Sequence, residues 1–334
     1  MRRILAIGGF TTSEGFSLTA AYIRDLTGKA KPRVCLLSTP AGDPPMLIRN
    51  FEDTYGKLGV ETSNVSFFGP AGTNFVNPDD AAEHLLNQDA IFVSGGNPRC
   101  AVGLWKEWGL DSVLREAWQR GVLLSGISAG ANCWFKHSIP PPHKKRTLPL
   151  EHLLGLLPGS CAVHYHARRQ ETWETMRMLD VPSAIAIDDD AAVLYEGDVI
   201  AEVLSWREGA TAYQLESQST GVDEHALRPR VIGSVFPEPE RQPVFVDVEL
   251  KRACVGRFEL MNPLQVLITI EGEQLFAQYG AQPKLEIFAE SENRYFLKEV
   301  NAQVTFDRDR DGKVTSLIHH QNGRDAHGVR LGGD

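Results

Sequence analysis

The stretch LSGISAGANCW (residues 124–134) sets Ser128 between Gly126 and Gly130, after an apolar run and before a segment with helical character. A serine placed there is suited to nucleophilic chemistry. On a tight strand-to-helix turn its hydroxyl projects clear of the sheet, and small residues two positions to either side let neighbouring backbone approach. The helix N-terminus then offers unpaired N–H groups where an oxyanion would form. A serine that merely caps a helix is the plainer alternative, and the motif is short. Its place at the end of a strand in a parallel sheet favours the catalytic reading.

A second segment, Ser94-Gly95-Gly96-Asn97-Pro98, follows the apolar run AIFV. Asn97 suits an N-cap and Pro98 the first helical turn, and the two glycines allow close backbone approach. The N–H groups of Gly96 and Ala129 are the expected oxyanion donors, with glycines that serve only the turn as the plain alternative. A base for the serine is offered by GSCAVHYHARRQ, where His164 and His166 share one face of an expected strand and either imidazole suits the role. Arg168 and Arg169 follow as candidates to receive a substrate carboxylate, with solvated surface as the plain alternative. The run Asp188-Asp189-Asp190 offers Asp189 to hold a substrate ammonium group, or else forms an aspartate-rich turn. Asn97 and Asn132 complete the expected substrate contacts.

The elements needed to position these residues are legible as alternation. Short apolar runs at Arg3–Ile7, Arg33–Ser38, Val65–Phe68, Ala90–Val93 and Val122–Ile127 read as strands, separated by amphipathic segments such as Met46–Leu58 and Asp79–Leu86. This is the pattern of βαβ units and a parallel sheet covered on both faces. Further strands are expected at Cys161–His166, Ser183–Ile187, Ala192–Tyr195 and Val199–Trp206. Residues 1–220 thus form an α/β domain, 221–243 a charged, proline-bearing linker, and 244–334 an antiparallel β module with period-two apolar runs. The acidic loop Asp307, Asp309, Asp311 and Gly312 imitates the start of a calcium-binding loop, but Ile318 stands where the closing glutamate would be. A hairpin turn is expected there, and no metal.

The 334 residues carry a net charge of −9, which argues against nucleic acid or anionic membrane as the main partner. The five cysteines are scattered and odd in number, the usage of a reducing, cytoplasmic setting. No apolar run reaches membrane-spanning length.

The pieces ILAIGGF, VCLLSTPAGD, FVSGGN, GISAGANCWF, GLLPGSCAVHY and AIAIDDDAAVLY, in this order and at these intervals, resemble the peptidase E (aspartyl dipeptidase) family, which includes the cyanophycinases. The resemblance implies a flavodoxin-like, class I glutamine-amidotransferase-like α/β fold. It also implies Ser128 as nucleophile, His164 rather than His166 as base, Gly96 and Ala129 as oxyanion donors, short peptides as substrates and no cofactor. The family pattern places an acid between nucleophile and histidine, where this chain offers only Glu151. Glu151 is thus the expected triad acid, with a dyad or an acid from Asp188–Asp190 left open. The C-terminal pieces CVGRFEL, RYFLKEVNAQVTFDRDRDGKV and HHQNG resemble a β module of unassigned function that follows the catalytic domain in some β-lactamase-like and peptidase-like proteins. Capping of the cleft and homo-oligomerisation are both open to it. Two rivals stand beside this reading: an α/β-hydrolase esterase drawing its base from His319, His320 or His327, and a binding protein that has lost its acid.

Overall fold

A computed structural model describes residues 1–68, 78–140, 151–233, 241–261, 264–280, 282–298, 302–321 and 324–331. The chain divides into two compact units, Met1–Val235 and Phe236–Asp334.

The first unit runs β1 (Arg3–Ile7), α1 (Ser13–Thr27), β2 (Arg33–Leu37), α2 (Pro45–Lys57), β3 (Glu61–Val65), α3 (Pro78–Leu86), β4 (Ala90–Val93), α4 (Pro98–Glu107), α5 (Leu110–Arg120) and β5 (Leu123–Ile127). It continues with α6 (Ala129–Cys133), β6 (Phe135–Ser138), β7 (Glu151–His152), β8 (Leu157–Val163), α7 (Tyr165–Met178), β9 (Ser183–Ile187), β10 (Ala191–Glu196), β11 (Val199–Ser205), β12 (Ala212–Gln218), β13 (Gly221–Ala226) and β14 (Arg230–Val231). Among the described residues these strands form two sheets, ordered β14-β11-β10-β1-β5-β4-β2-β3 and β13-β12-β9-β8-β6-β7. The βαβ part is parallel, from β1 through β5, β4 and β2 to β3. Antiparallel β10 and β11 extend it on the β1 side.

Alternate residues of one strand enter different cores, which is why these strands read as unbroken apolar runs. Ile4, Ala6, Cys35, Leu37, Ile91 and Val93 pack with α4 and α5. Leu5, Ile7, Val34, Leu36, Ala90 and Phe92 pack with α1 and α2. Both faces are buried, as a parallel sheet requires. The expected α/β class is therefore present, with mixed rather than purely parallel sheets.

Three local expectations change. β3 is the polar ETSNV rather than VSFF; as the last strand of its sheet it needs only one apolar side chain turned inward. The amides of Phe67 and Phe68 instead donate to the buried Asp43 carboxylate. β8 begins and ends earlier than expected, so His164 and His166 do not share a strand face: His164 is the turn residue and His166 lies in α7. The first residues expected as linker form β13, paired antiparallel with β12 through Tyr213↔Ala226 to Gln218↔Gly221.

In the second unit a short helix, α8 (Val248–Ala253), precedes β15 (Gly256–Met261), β16 (Leu264–Glu271), β17 (Gln274–Tyr279), β18 (Leu285–Ala289), β19 (Arg294–Leu297), β20 (Ala302–Arg308), β21 (Val314–Gln321) and β22 (Arg324–Arg330). Among the described residues these strands close into an up-and-down barrel around Phe258, Tyr295, Val304, Phe306 and Leu317. Closure removes exposed sheet edges. At the acidic loop Asp309 Oδ1 accepts from the amides of Asp311 and Lys313, and Gly312 takes φ 80°, so a turn joins β20 to β21.

Candidate active site

The site gathers at the ends of β1, β4, β5, β8 and β9, where turns present backbone and side chains beyond the sheets. Ser128 follows β5 at φ 54°, ψ −116°, a conformation unfavourable for an L-residue. It is held there from both sides: its amide donates to Ile7 O at 2.9 Å and its carbonyl accepts from Asn132 N at 3.0 Å. The flanking glycines are needed sterically. A methyl group at Gly126 would lie 2.5 Å from the Gly130 carbonyl carbon, and one at Gly130 would lie 2.3 Å from Val93 O. The small residues of the motif thus let the helix start press onto β5 and β4.

His164 follows β8 in the left-handed region, at φ 55°, ψ 38°. Its Nε2 lies 2.7 Å from Ser128 Oγ and its Nδ1 lies 2.6 Å from Asp189 Oδ1. With the proton on Nδ1, the imidazole donates to Asp189 and accepts from the serine hydroxyl. Both partners of the His–Asp contact are partly exposed, His164 by 38% and Asp189 by 25% of its side chain, so the relay is open to an incoming ligand. The next residue, Tyr165, donates its hydroxyl to Glu224 on β13 and accepts from Trp173 Nε1 at 2.8 Å, which ties the start of α7 in place.

The acid at the imidazole is Asp189, not Glu151. Glu151 lies on β7, where its backbone pairs with Ser138 of β6. Asp189 arrives by tertiary neighbourhood instead, since β9 runs parallel beside β8 and the two strands end at the same level, Val163 opposite Ile187. The three aspartates of the turn after β9 have three duties. Asp188 is buried, where its Oδ2 accepts from Thr211 N at 3.2 Å, and burial raises its pKa. Asp189 meets His164. Asp190 accepts from Thr11, Trp206 and Arg207. Asp189 is therefore occupied by the histidine rather than free to hold a substrate ammonium.

The oxyanion candidates are two backbone amides. Ala129 N is the first amide of α6 and Gly96 N belongs to the turn after β4; neither donates to an acceptor among the described residues. Gly96 adopts φ 138°, and a methyl group on it would lie 2.0 Å from Pro40 O. That same carbonyl accepts from Asn97 N at 2.8 Å, so the turn Thr39–Ala41 after β2 sets the path of the glycine segment. Gly95 faces Ser128, and a methyl group on it would lie 3.4 Å from Ser128 Cβ.

The expected substrate contacts separate. Asn97 spends its side-chain oxygen capping α4, accepting from Cys100 N at 3.1 Å. Arg169 pairs with Glu224 and lies against Trp173, so it braces α7 rather than waiting for a carboxylate. Arg168 sits at a kink in α7, its Nη1 3.5 Å from Val163 O and its Nε 3.8 Å from Glu171. Asn132 is buried one turn beyond Ser128. The histidines named for an esterase lie on the barrel: His319 contacts Tyr279 at 2.7 Å, and His320 contacts Thr305 at 2.8 Å and Asp325 at 2.6 Å.

One contributor escaped the sequence reading. A methyl group at Gly9 would lie 1.8 Å from Asp189 Oδ1 and 2.7 Å from His164 Nδ1. The paired glycines of ILAIGGF were its only signal.

Among the described residues no helix is long and apolar enough to cross a membrane. No group of three or more histidine, cysteine or acidic side chains there is placed to hold a metal.

Known proteins share this arrangement of sequence. The uncharacterized peptidase YgaJ of Bacillus subtilis (strain 168) is 34% identical over 244 residues, covering 70% of this chain and 100% of that protein. A penicillin-binding protein of the same bacterium is 29% identical over 131 residues, 38% of this chain but only 28% of its own length. The crystal structure of a peptidase from an acI-B1 actinobacterium shares the fold, with a TM-score of 0.51 at 18% identity over 68% of this chain and 94% of that one. Residues 249–330 match a domain of unknown function (DUF3471), so the barrel is a recurring unit. Residues 4–203, which hold every strand end just described, match the model of peptidase family S51, and the chain belongs to that family of peptidases.

Proposed function

We propose that this peptidase is a serine hydrolase of short peptides, with Ser128 as nucleophile, His164 as general base and Asp189 as the acid that orients it. The observation that carries the reading is the continuous relay from Ser128 Oγ to His164 Nε2 at 2.7 Å and from His164 Nδ1 to Asp189 Oδ1 at 2.6 Å. These are the distances at which proton transfer needs no rearrangement of heavy atoms. As Oγ attacks the scissile carbonyl, its proton passes to Nε2, and the Asp189 carboxylate stabilises the imidazolium that results. The amides of Gly96 and Ala129 meet the oxyanion. The imidazolium then protonates the leaving amine, and a water activated by the same nitrogen releases the acyl group.

Release of an N-terminal residue from a dipeptide or short peptide is the specificity proposed, following the family the chain belongs to. A panel of Asp-X, Glu-X and neutral dipeptides, incubated with the wild-type protein and with Ser128→Ala, tests both parts. Cleavage of one class by the wild type and none by the variant is expected. Equal turnover by the two proteins would remove the serine from the reaction.

A further inference from the structure

The turn after β1 is pinned by an anchor that the proposed chemistry does not use. Asp190 is only 1% exposed, yet its carboxylate collects donors from three residues. Oδ1 accepts from Thr11 N at 2.9 Å and Trp206 Nε1 at 3.0 Å, while Oδ2 accepts from Arg207 Nε at 2.7 Å and from the Thr11 hydroxyl. The backbone of the same residue takes part: Asp190 N donates to Gly9 O at 2.9 Å. Asp190 stands at φ 64°, a left-handed conformation that short polar side chains tolerate best. A buried carboxylate is costly unless its lone pairs are filled, and here charge-assisted bonds fill them.

What this anchor fixes is the position of Gly9. Its two sides are set independently, by Asp190 N on the Gly9 carbonyl and by the Asp190 carboxylate on Thr11, two residues further on. Between them the Gly9 backbone lies against the His164–Asp189 contact so closely that no side chain fits, since a methyl group would fall 1.8 Å from Asp189 Oδ1. Water has no room on that side of the bond. Gly8 lies equally close to the end of β9, where a methyl group on it would meet Asp188 O at 2.0 Å.

The geometry points to Asp190 as a positioning residue for the peptidase reaction. By clamping Thr11 with its carboxylate and Gly9 with its amide, it holds the glycine turn over the Nδ1–Oδ1 bond and keeps Asp189 facing the imidazole. The inference rests on the roles proposed for Ser128, His164 and Asp189.

Asp190→Asn tests it, because asparagine keeps the left-handed backbone and the shape while losing the charge that Arg207 and the Thr11 hydroxyl answer. Gly9→Ala tests the same contact from the other side. Each variant is assayed for kcat and KM on a cleaved dipeptide, for its thermal midpoint, and by proton NMR for the downfield resonance of His164 Nδ1–H bonded to Asp189. A folded Asp190→Asn or Gly9→Ala protein is expected to lose about 100-fold in kcat, the scale of a small misplacement at a reacting centre. KM should stay close to wild type, and the downfield resonance should broaden or vanish. Should Asp190→Asn fail to fold, Thr11→Val removes one donor and leaves the charge pair, with Thr11→Ser as the rescuing variant. Wild-type kcat and an intact resonance in folded Asp190→Asn or Thr11→Val overturn the inference. So does a loss of activity that vanishes once corrected for the folded fraction. The NMR arm reports the His164–Asp189 bond whether or not Ser128 is the nucleophile, so a Ser128→Ala protein that still cleaves peptide would sink the proposed mechanism without deciding this point.

Discussion

His164 presents Nδ1 to Asp189 Oδ1 at 2.6 Å, across the ends of two adjacent parallel strands separated by the whole of α7. The acid is therefore contributed after the histidine in sequence, by the neighbouring strand. Asp189→Asn should lower kcat by about 10⁴-fold, the cost of losing the correct tautomer and the partner of the imidazolium. Glu151→Gln should leave kcat within roughly twofold, since the imidazole already has its carboxylate partner in Asp189. Steady-state kinetics on one dipeptide decide between the two acids, and the reverse ranking would restore Glu151 to the site.

Gly96 is fixed by the Pro40 carbonyl and by its own φ of 138°. Gly96→Ala should displace the amide proposed to meet the oxyanion and cost about 10²- to 10³-fold in kcat, as the removal of one such donor does elsewhere. Substrate affinity should change little, because the donor acts on charge that develops only in the transition state. An increase in KM at constant kcat would assign Gly96 to ground-state binding.

The acid limb of stability should carry the mark of Asp190. Burial works against its charge, but the donors of Thr11, Arg207 and Trp206 prevail and hold the carboxyl below the ordinary range. A depressed acid stabilises the fold above its unfolded value, about 4, and loses that contribution as pH falls through the folded one. In urea unfolding, the advantage of wild type over Asp190→Asn should be full at pH 6 and shrink from about pH 4 downward. Asp188 has the opposite sign. Burial raises its pKa, so its cost to the fold is present at neutral pH and relieved as pH falls through the raised value. A wild-type advantage that grew on acidification would contradict the assignment of Asp190.

Thiol chemistry offers a check on packing. Cys100 is exposed while Cys35, Cys133, Cys161 and Cys254 are buried. Burial pushes Cys35 up to about 12 and Cys254 up to about 11. Iodoacetamide at pH 8 should modify Cys100 first in the native protein and reach the other four only on unfolding, since the thiolate is the reactive form. Rapid native labelling of Cys161, which is buried on β8, would contradict that packing.

How far the sequence could be read follows from the reach of each signal. Ser128 was legible because its constraint is local: two glycines, a strand before and a helix after, all within a dozen residues. The strands Arg3–Ile7, Ala90–Val93 and Ser183–Ile187 were legible because burial on both faces leaves them almost wholly apolar. β3 was not, since at the sheet edge ETSNV needs no such composition. His164 came from the resemblance and was placed on a strand, where the left-handed turn at φ 55° leaves no mark in a histidine. Asp189 appeared only as one of three aspartates. What singles it out is that the backbone turn after β9 aims Asp188 inward, Asp189 at the imidazole and Asp190 at Thr11. Arg169 and Asn97 looked available because their partners, Glu224 and Cys100 N, are visible only once the chain has folded.

The central claim is that the Ser128 hydroxyl, activated by His164, is the group that attacks substrate. Incubation of the whole protein with a fluorophosphonate, followed by peptide mapping by mass spectrometry, measures this directly. One phosphonyl adduct on Ser128, formed in step with loss of peptidase activity and slowed by His164→Ala, is the expected result. An active enzyme that remains unmodified at Ser128, or an adduct on another residue that accounts for the inactivation, would contradict the account.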